Sequence, residues 1–182
     1  LWTVKFSDEP ITGKVYSYFG KDHKKVYKGK VLNGKKEGKW VSYYHSTGRK
    51  MYEDNFKDGE LDGLQTEWYE NGNKRSEFNF KDGELDGLMT SWFENGKMKM
   101  KGTYEDGELD GLQTSWYEDG QKRSEGTYKD DKPDGLQTSW YEDGQKRTEG
   151  TYKDDKLDGL MTSWFENGKM KMKGTYEDGE LD

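Results

Sequence analysis

The sequence predicts an all-β fold: a single-layer antiparallel β-meander, or solenoid, of tandem β-hairpin repeats, elongated and twisted. Three observations predict it. The first is a fixed period, because Gly63, Gly87, Gly111, Gly135 and Gly159 stand 24 residues apart. The segment GLMTSWFENGKMKMKGTYEDGELD occurs at 87–110 and again, unchanged, at 159–182. The second is the punctuation of each period by two glycine-bearing turns, which leaves no room for a helical pattern. The third is the kind of apolar residue present. Leu, Ile, Val and Phe together number only 25 of 182, yet there are 7 Trp, 13 Tyr and 7 Phe. So few aliphatics rule out a thick globular core. The large rings still allow a thin sheet held by aromatic side chains.

The elements follow in order along the chain. Residues 1–12 are read as an N-terminal capping strand, 13–62 as two divergent 25-residue repeats, and 63–182 as five near-identical 24-residue repeats. Each unit begins with a short strand such as Leu64 to Tyr69. Asn71-Gly72 follows, a strong two-residue hairpin signal in which both residues can take positive φ. The return strand is Asn73 to Phe80, and Lys81 to Asp86 turns the chain into the next unit. In the first 25-mer Gly20 to His23 stands where the Asn-Gly turn would be, so its loop departs from the rule.

A two-residue loop at Asn71-Gly72 fixes the expected faces. Tyr69 would oppose Lys74, and Trp68 would oppose Arg75. One face then carries Tyr69, Glu67 and Gln65 beside Lys74, Ser76, Phe78 and Phe80. The other carries a tryptophan row flanked by Lys and Arg stems, with Arg75 stacked on Trp68.

The residues Trp116, Tyr117, Asp119, Gly120, Gly126, Tyr128, Asp134 and Gly135, with their equivalents in the other units, carry a resemblance to the MORN repeat. The pattern looks most like the bacterial variant of YwqK-like proteins. The resemblance covers nearly all of the chain after residue 12. It implies single-layer hairpin arrays that serve as scaffolds, binding modules or parts of toxin–immunity systems, and it implies no enzyme activity.

Two aromatic rows are candidate ligand or partner sites. Trp68, Trp92, Trp116, Trp140 and Trp164 read either as stacking platforms for sugars, choline-like cations or a peptide, or as the core itself. Tyr69, Phe93, Tyr117, Tyr141 and Phe165 read as half core, half exposed surface. The acidic turns at Asp82, Glu84 and Asp86, repeated one unit on, lack the spacing of a Ca²⁺ loop and read as solvated turns. His23 and His45 sit apart and there is no Cys, so no metal site, no cofactor and no catalysis are expected. Carboxylates on exposed turns have no apolar wall to shift a pKa.

Charge is uneven. Residues 1–62 carry 13 Lys/Arg against 9 Asp/Glu, and residues 63–182 carry 17 against 28. Lys14 to Lys36 is the candidate for contact with an anionic membrane, or a solubilising cap. Nucleic acid is not an expected partner, given the acidic remainder. The basic end of one molecule could instead meet the acidic body of another, end to end. The sequence thus predicts a non-catalytic module that binds or scaffolds a protein or an extended polymer, multivalently. A bacterial cell-surface or secreted location is favoured over the cytoplasm. The alternative is an immunity or antitoxin-type protein docking a single toxin, for which only the divergent stretch 13–62 offers a unique surface.

Overall fold

The computed structural model describes residues 10–19 and 24–182. The expected capping strand therefore falls mostly outside the described residues, as do the first-unit loop and His23. Among the described residues there is no helix, and the strands form one open antiparallel sheet of 18 strands in meander order. Each long strand pairs with the long strands before and after it, from Gly13–Phe19 on Lys24–Leu32 onward, while short strands such as Glu60–Leu61 and Glu84–Leu85 pair back on the strand that precedes them.

The unit that starts at Gly63 shows how the sequence sets the chain path. Its strand Gly63–Trp68 returns as Lys74–Lys81. The loop between them is not the expected two-residue turn. The Tyr69 N–H donates to the Asn73 carbonyl, and the Gly72 N–H to the Tyr69 carbonyl. Only Gly72 takes positive φ, at 99°. This is a three-residue loop, Glu70-Asn71-Gly72, with glycine in the left-handed position. Asn71 favours it by accepting the Asn73 N–H on its own side-chain oxygen at 2.8 Å.

The two-residue turn lies at the other end of the unit. Asp82 and Gly83 have φ of 48° and 87°, and Lys81 pairs with Glu84 across them. Asp-Gly suits that geometry, since aspartate tolerates the left-handed region and glycine enters it freely.

The loop error has a compensating partner. Trp68 opposes Lys74, one residue out of the expected register, and a bulge then admits Arg75 as an extra residue. From Glu67–Ser76 inward the pairing is the expected one, through Thr66–Glu77 and Gln65–Phe78. The bulge exchanges the two cations between faces. Lys74 reaches Glu77 at 2.5 Å and lies 5.8 Å from the centre of the Trp92 ring. Arg75 lies 5.8 Å over Tyr69, so the expected Arg75–Trp68 stack does not form. Lys50, from the preceding unit, stands over Trp68 instead.

A sheet without a second layer buries little. The buried residues include Thr66, Thr90, Thr114, Thr138 and Thr162, which recur once per unit at the strand centres. Among the described residues Leu109 is the buried hydrophobic side chain, and no large side chain is fully covered. The five ladder tryptophans are half-buried. Leu64, Leu88, Leu112, Leu136 and Leu160 stay exposed, because nothing packs over them.

Neighbouring units are joined at their turns as well as through strand pairing. The Gly83 N–H donates to the Leu61 carbonyl, and Gly107 repeats the bond to Leu85. Two units carry a second aspartate where the others have this glycine. Asp131 and Asp155 are held at φ of 63° and 68°. Asp131 is partly compensated, since its carboxylate accepts the Leu109 N–H at 2.7 Å. Residue 133, which holds the equivalent place before Asp155, is proline and has no N–H to offer. Asp155→Gly is therefore expected to raise stability by about 1 kcal/mol. Asp131→Gly gains less because it gives up a hydrogen bond. Urea unfolding of the two variants checks the order.

Candidate functional site

The alternation of the strands and the bulge give the sheet two unlike faces. On one, lysines stand over tryptophans and pair with glutamates. Lys122 contacts Glu125 at 2.6 Å and lies 5.7 Å from Trp140, and Lys146 pairs with Glu149. On the other, tyrosine or phenylalanine stands beside the bulge cation of its own unit. Arg147 lies 5.9 Å from Tyr141, Lys99 5.9 Å from Phe93, and Lys171 5.7 Å from Phe165. A ring face already covered by a cation is a poor site for a choline-like ligand.

The tyrosines also hold neighbouring units together. The Tyr69 hydroxyl donates to the Trp92 carbonyl at 2.9 Å, Tyr117 to Trp140 at 2.7 Å, and Tyr141 to Trp164 at 2.9 Å. Tyr44, which sequence reasoning passed over, does the same to Trp68 at 2.7 Å. Burial, then the Glu67 charge, pushes the Tyr44 phenol above its ordinary value. Phe93 has no hydroxyl to offer Trp116, and Phe165 is 49% exposed at the last hairpin. Tyr141→Phe is expected to lose about 1 kcal/mol, and Phe93→Tyr to recover a similar amount by adding the missing donor. Thermal melts of the single variants check both signs.

Between successive tyrosines the face opens into clefts that repeat with the unit. One, of 360 Å³, is lined by Ser115, Tyr117, Arg123, Ser124, Ser139 and Arg147 among others. The next, of 290 Å³, carries Tyr141, Arg147, Thr148, Ser163 and Lys171. Neither is lined by a carboxylate, although residues 63–182 are strongly acidic overall. The floor is a row of hydroxyls, with Ser115 against Ser124 and Ser139 against Thr148, each at 2.6 Å.

One unit is different. Where four others have serine, the unit that starts at Gly63 has Glu67. Its carboxylate accepts from the Arg75 guanidinium and the Tyr52 hydroxyl, each at 2.7 Å, and from the Ser76 hydroxyl at 3.1 Å. The hydrogen bond to Glu67 raises the Tyr52 phenol above its ordinary value, with burial adding to it.

The N-terminal hairpins form a separate cavity of 270 Å³ lined by Tyr16, Ser17, Lys28, Trp40, Ser42 and Asp54 among others. The Ser17 and Ser42 hydroxyls are buried there without a hydrogen-bond partner. The lysines of 14–36 are partly engaged with rings: Lys25 lies 3.9 Å over Tyr16, and Lys36 lies 4.3 Å over Phe56. His45 sits in a turn, and the described residues hold no group of His, Asp or Glu able to grip a metal ion. Asp82 and Asp106 take positive φ in their turns, beside Gly83 and Gly107.

A sheet of similar hairpins, near-identical over residues 63–182, with a surface motif that recurs from unit to unit, defines a tandem-repeat module. The chain belongs to the MORN repeat variant family, which matches residues 61–82, 85–106, 109–130, 133–154 and 157–178. Comparison with curated proteins returns no match. MORN repeats are non-enzymatic modules associated with protein and membrane binding.

Proposed function

We propose that the protein is a multivalent binding scaffold whose tyrosine face engages a protein or an extended polymer at successive units. The recurrence of the Tyr/Arg/Ser cleft one unit apart carries this reading. Equivalent weak sites at fixed spacing yield avidity, whereas a one-to-one partner needs a footprint of distinct side chains. The YwqK-like subtype and a place at the bacterial surface or outside the cell agree with such a module. So does end-to-end association of basic and acidic ends.

A printed panel of glycans, peptides and lipids at graded density tests it. Binding should rise steeply with ligand density and weaken when residues 135–182 are removed. Density-independent binding that survives the truncation would sink the proposal.

The immunity or antitoxin reading rests on one observation, the N-terminal cavity with its two unpartnered hydroxyls. It lies in the divergent stretch, and a partner held there would be insensitive to that same truncation.

A further inference from the structure

The Glu67 cluster is the point of comparison for the later clefts. In the Gly63 unit a carboxylate lies among the bulge arginine, a strand hydroxyl and a phenol, and every contact is supplied by the chain itself. Two units on, Ser115 takes the place of Glu67, Arg123 that of Arg75 and Ser124 that of Ser76. One unit further, Ser139, Arg147 and Thr148 repeat the set, with Ser124 now where Tyr52 stood. The arginine and the strand hydroxyl remain and the carboxylate is gone, although in the Ser115 cleft Met100 stands in the place of Tyr52. Arg123 and Arg147 make no ion pair among the described residues, while Arg75 does.

We propose that these two clefts bind two carboxylates of an acidic polyproline-II peptide that runs across the strands, with an acidic residue at every third position. This rests on the scaffold reading above and names its ligand. Adjacent clefts are two strands apart, about 9.6 Å. A polyproline-II chain advances about 9.3 Å per three-residue turn, so residues i and i+3 present side chains to the same face at the spacing of the clefts. An extended β-strand ligand repeats each face at about 6.7 Å and falls out of step. The polyproline-II backbone also leaves its carbonyls unpaired, for the guanidinium and hydroxyl donors to reach. Its rings pack on aromatic walls such as Tyr117 and Tyr141. Charge-assisted bonds from arginine give the selectivity for carboxylate.

The test is a calorimetric titration of the full chain with a synthetic peptide repeating Glu-Pro-Pro, against the same peptide with Gln in place of Glu. The Glu peptide should bind and the Gln peptide should not. Arg123→Gln with Arg147→Gln should weaken binding on the order of tenfold per arginine. Lys122→Gln with Lys146→Gln, on the opposite face, should leave it unchanged. Ser115→Glu with Ser139→Glu should fill the clefts in the manner of Glu67, abolishing binding without lowering the melting temperature.

Equal binding of the two peptides overturns the proposal, as does undiminished binding by the arginine variants. Binding of polygalacturonate or of anionic vesicles in place of the peptide overturns it too, but leaves the multivalent scaffold standing. If the double glutamate variant misfolds, the arginine pair decides alone.

Discussion

Removing residues 135–182 is expected to lower the melting temperature by roughly 10 °C or more, a loss of several kcal/mol. The reason is the thinness of the sheet. Contacts join neighbouring hairpins, and among the described residues no large side chain is fully covered. Stability must then be the sum of what each boundary contributes. The truncation removes the pairing of Ser124 with Ser139, Glu125 with Thr138 and Gly126 with Gln137, and with it the Tyr117 bond to Trp140. It also uncovers the Thr114–Glu125 side of the sheet to water. Differential scanning calorimetry checks this, and an unchanged melt would mean that the units fold independently of one another.

Gly111→Ala is expected to cost about 1–3 kcal/mol, from backbone conformation alone. Gly111 has φ of 102°, where an L side chain is strained, while the nearest atom to an added Cβ is Thr103 Cβ at 3.8 Å. Crowding therefore contributes nothing. At this point the chain leaves the short strand Glu108–Leu109, the Asp110 N–H bonds the Thr103 carbonyl, and the chain then rejoins the sheet as Gly111–Trp116. Gly13 is the control. It opens the first unit but does not take positive φ, and no atom lies within 4 Å of its added Cβ. Gly13→Ala should be neutral or slightly stabilising. If the two variants unfold at the same urea concentration, strain at the unit start is not what fixes glycine there.

The period and the antiparallel meander were legible because Gly, Asp-Gly and the aromatic pairs recur in step. What sequence reasoning missed was the loop beside Asn71. An Asn-Gly pair serves a two-residue turn or a three-residue loop, and the choice depends on whether a bulge follows. That bulge, at Arg75, restored the inner register while reversing which cation meets which ring. The aromatic positions of the clefts, Tyr117 and Tyr141, stood out in the sequence. The serine positions already fell on that face in the expected register, but the arginines did not, because only the bulge brings them there. A signal did exist in the single glutamate among serines at position 67, readable as an exception once the units are laid over one another.

The joints between units have a further consequence. The segment 87–110 follows the unit at Gly63 and 159–182 follows the unit at Gly135, yet Gly87 pairs with Tyr104 as Gly159 does with Tyr176, and the turn bonds of Gly107 and Gly179 reach back alike. Each block is thus a cassette whose conformation is indifferent to its address. Gene duplication can lengthen or shorten such an array in steps of 24 residues with no new boundary to be invented, and selection can then act on copy number as readily as on any one side chain.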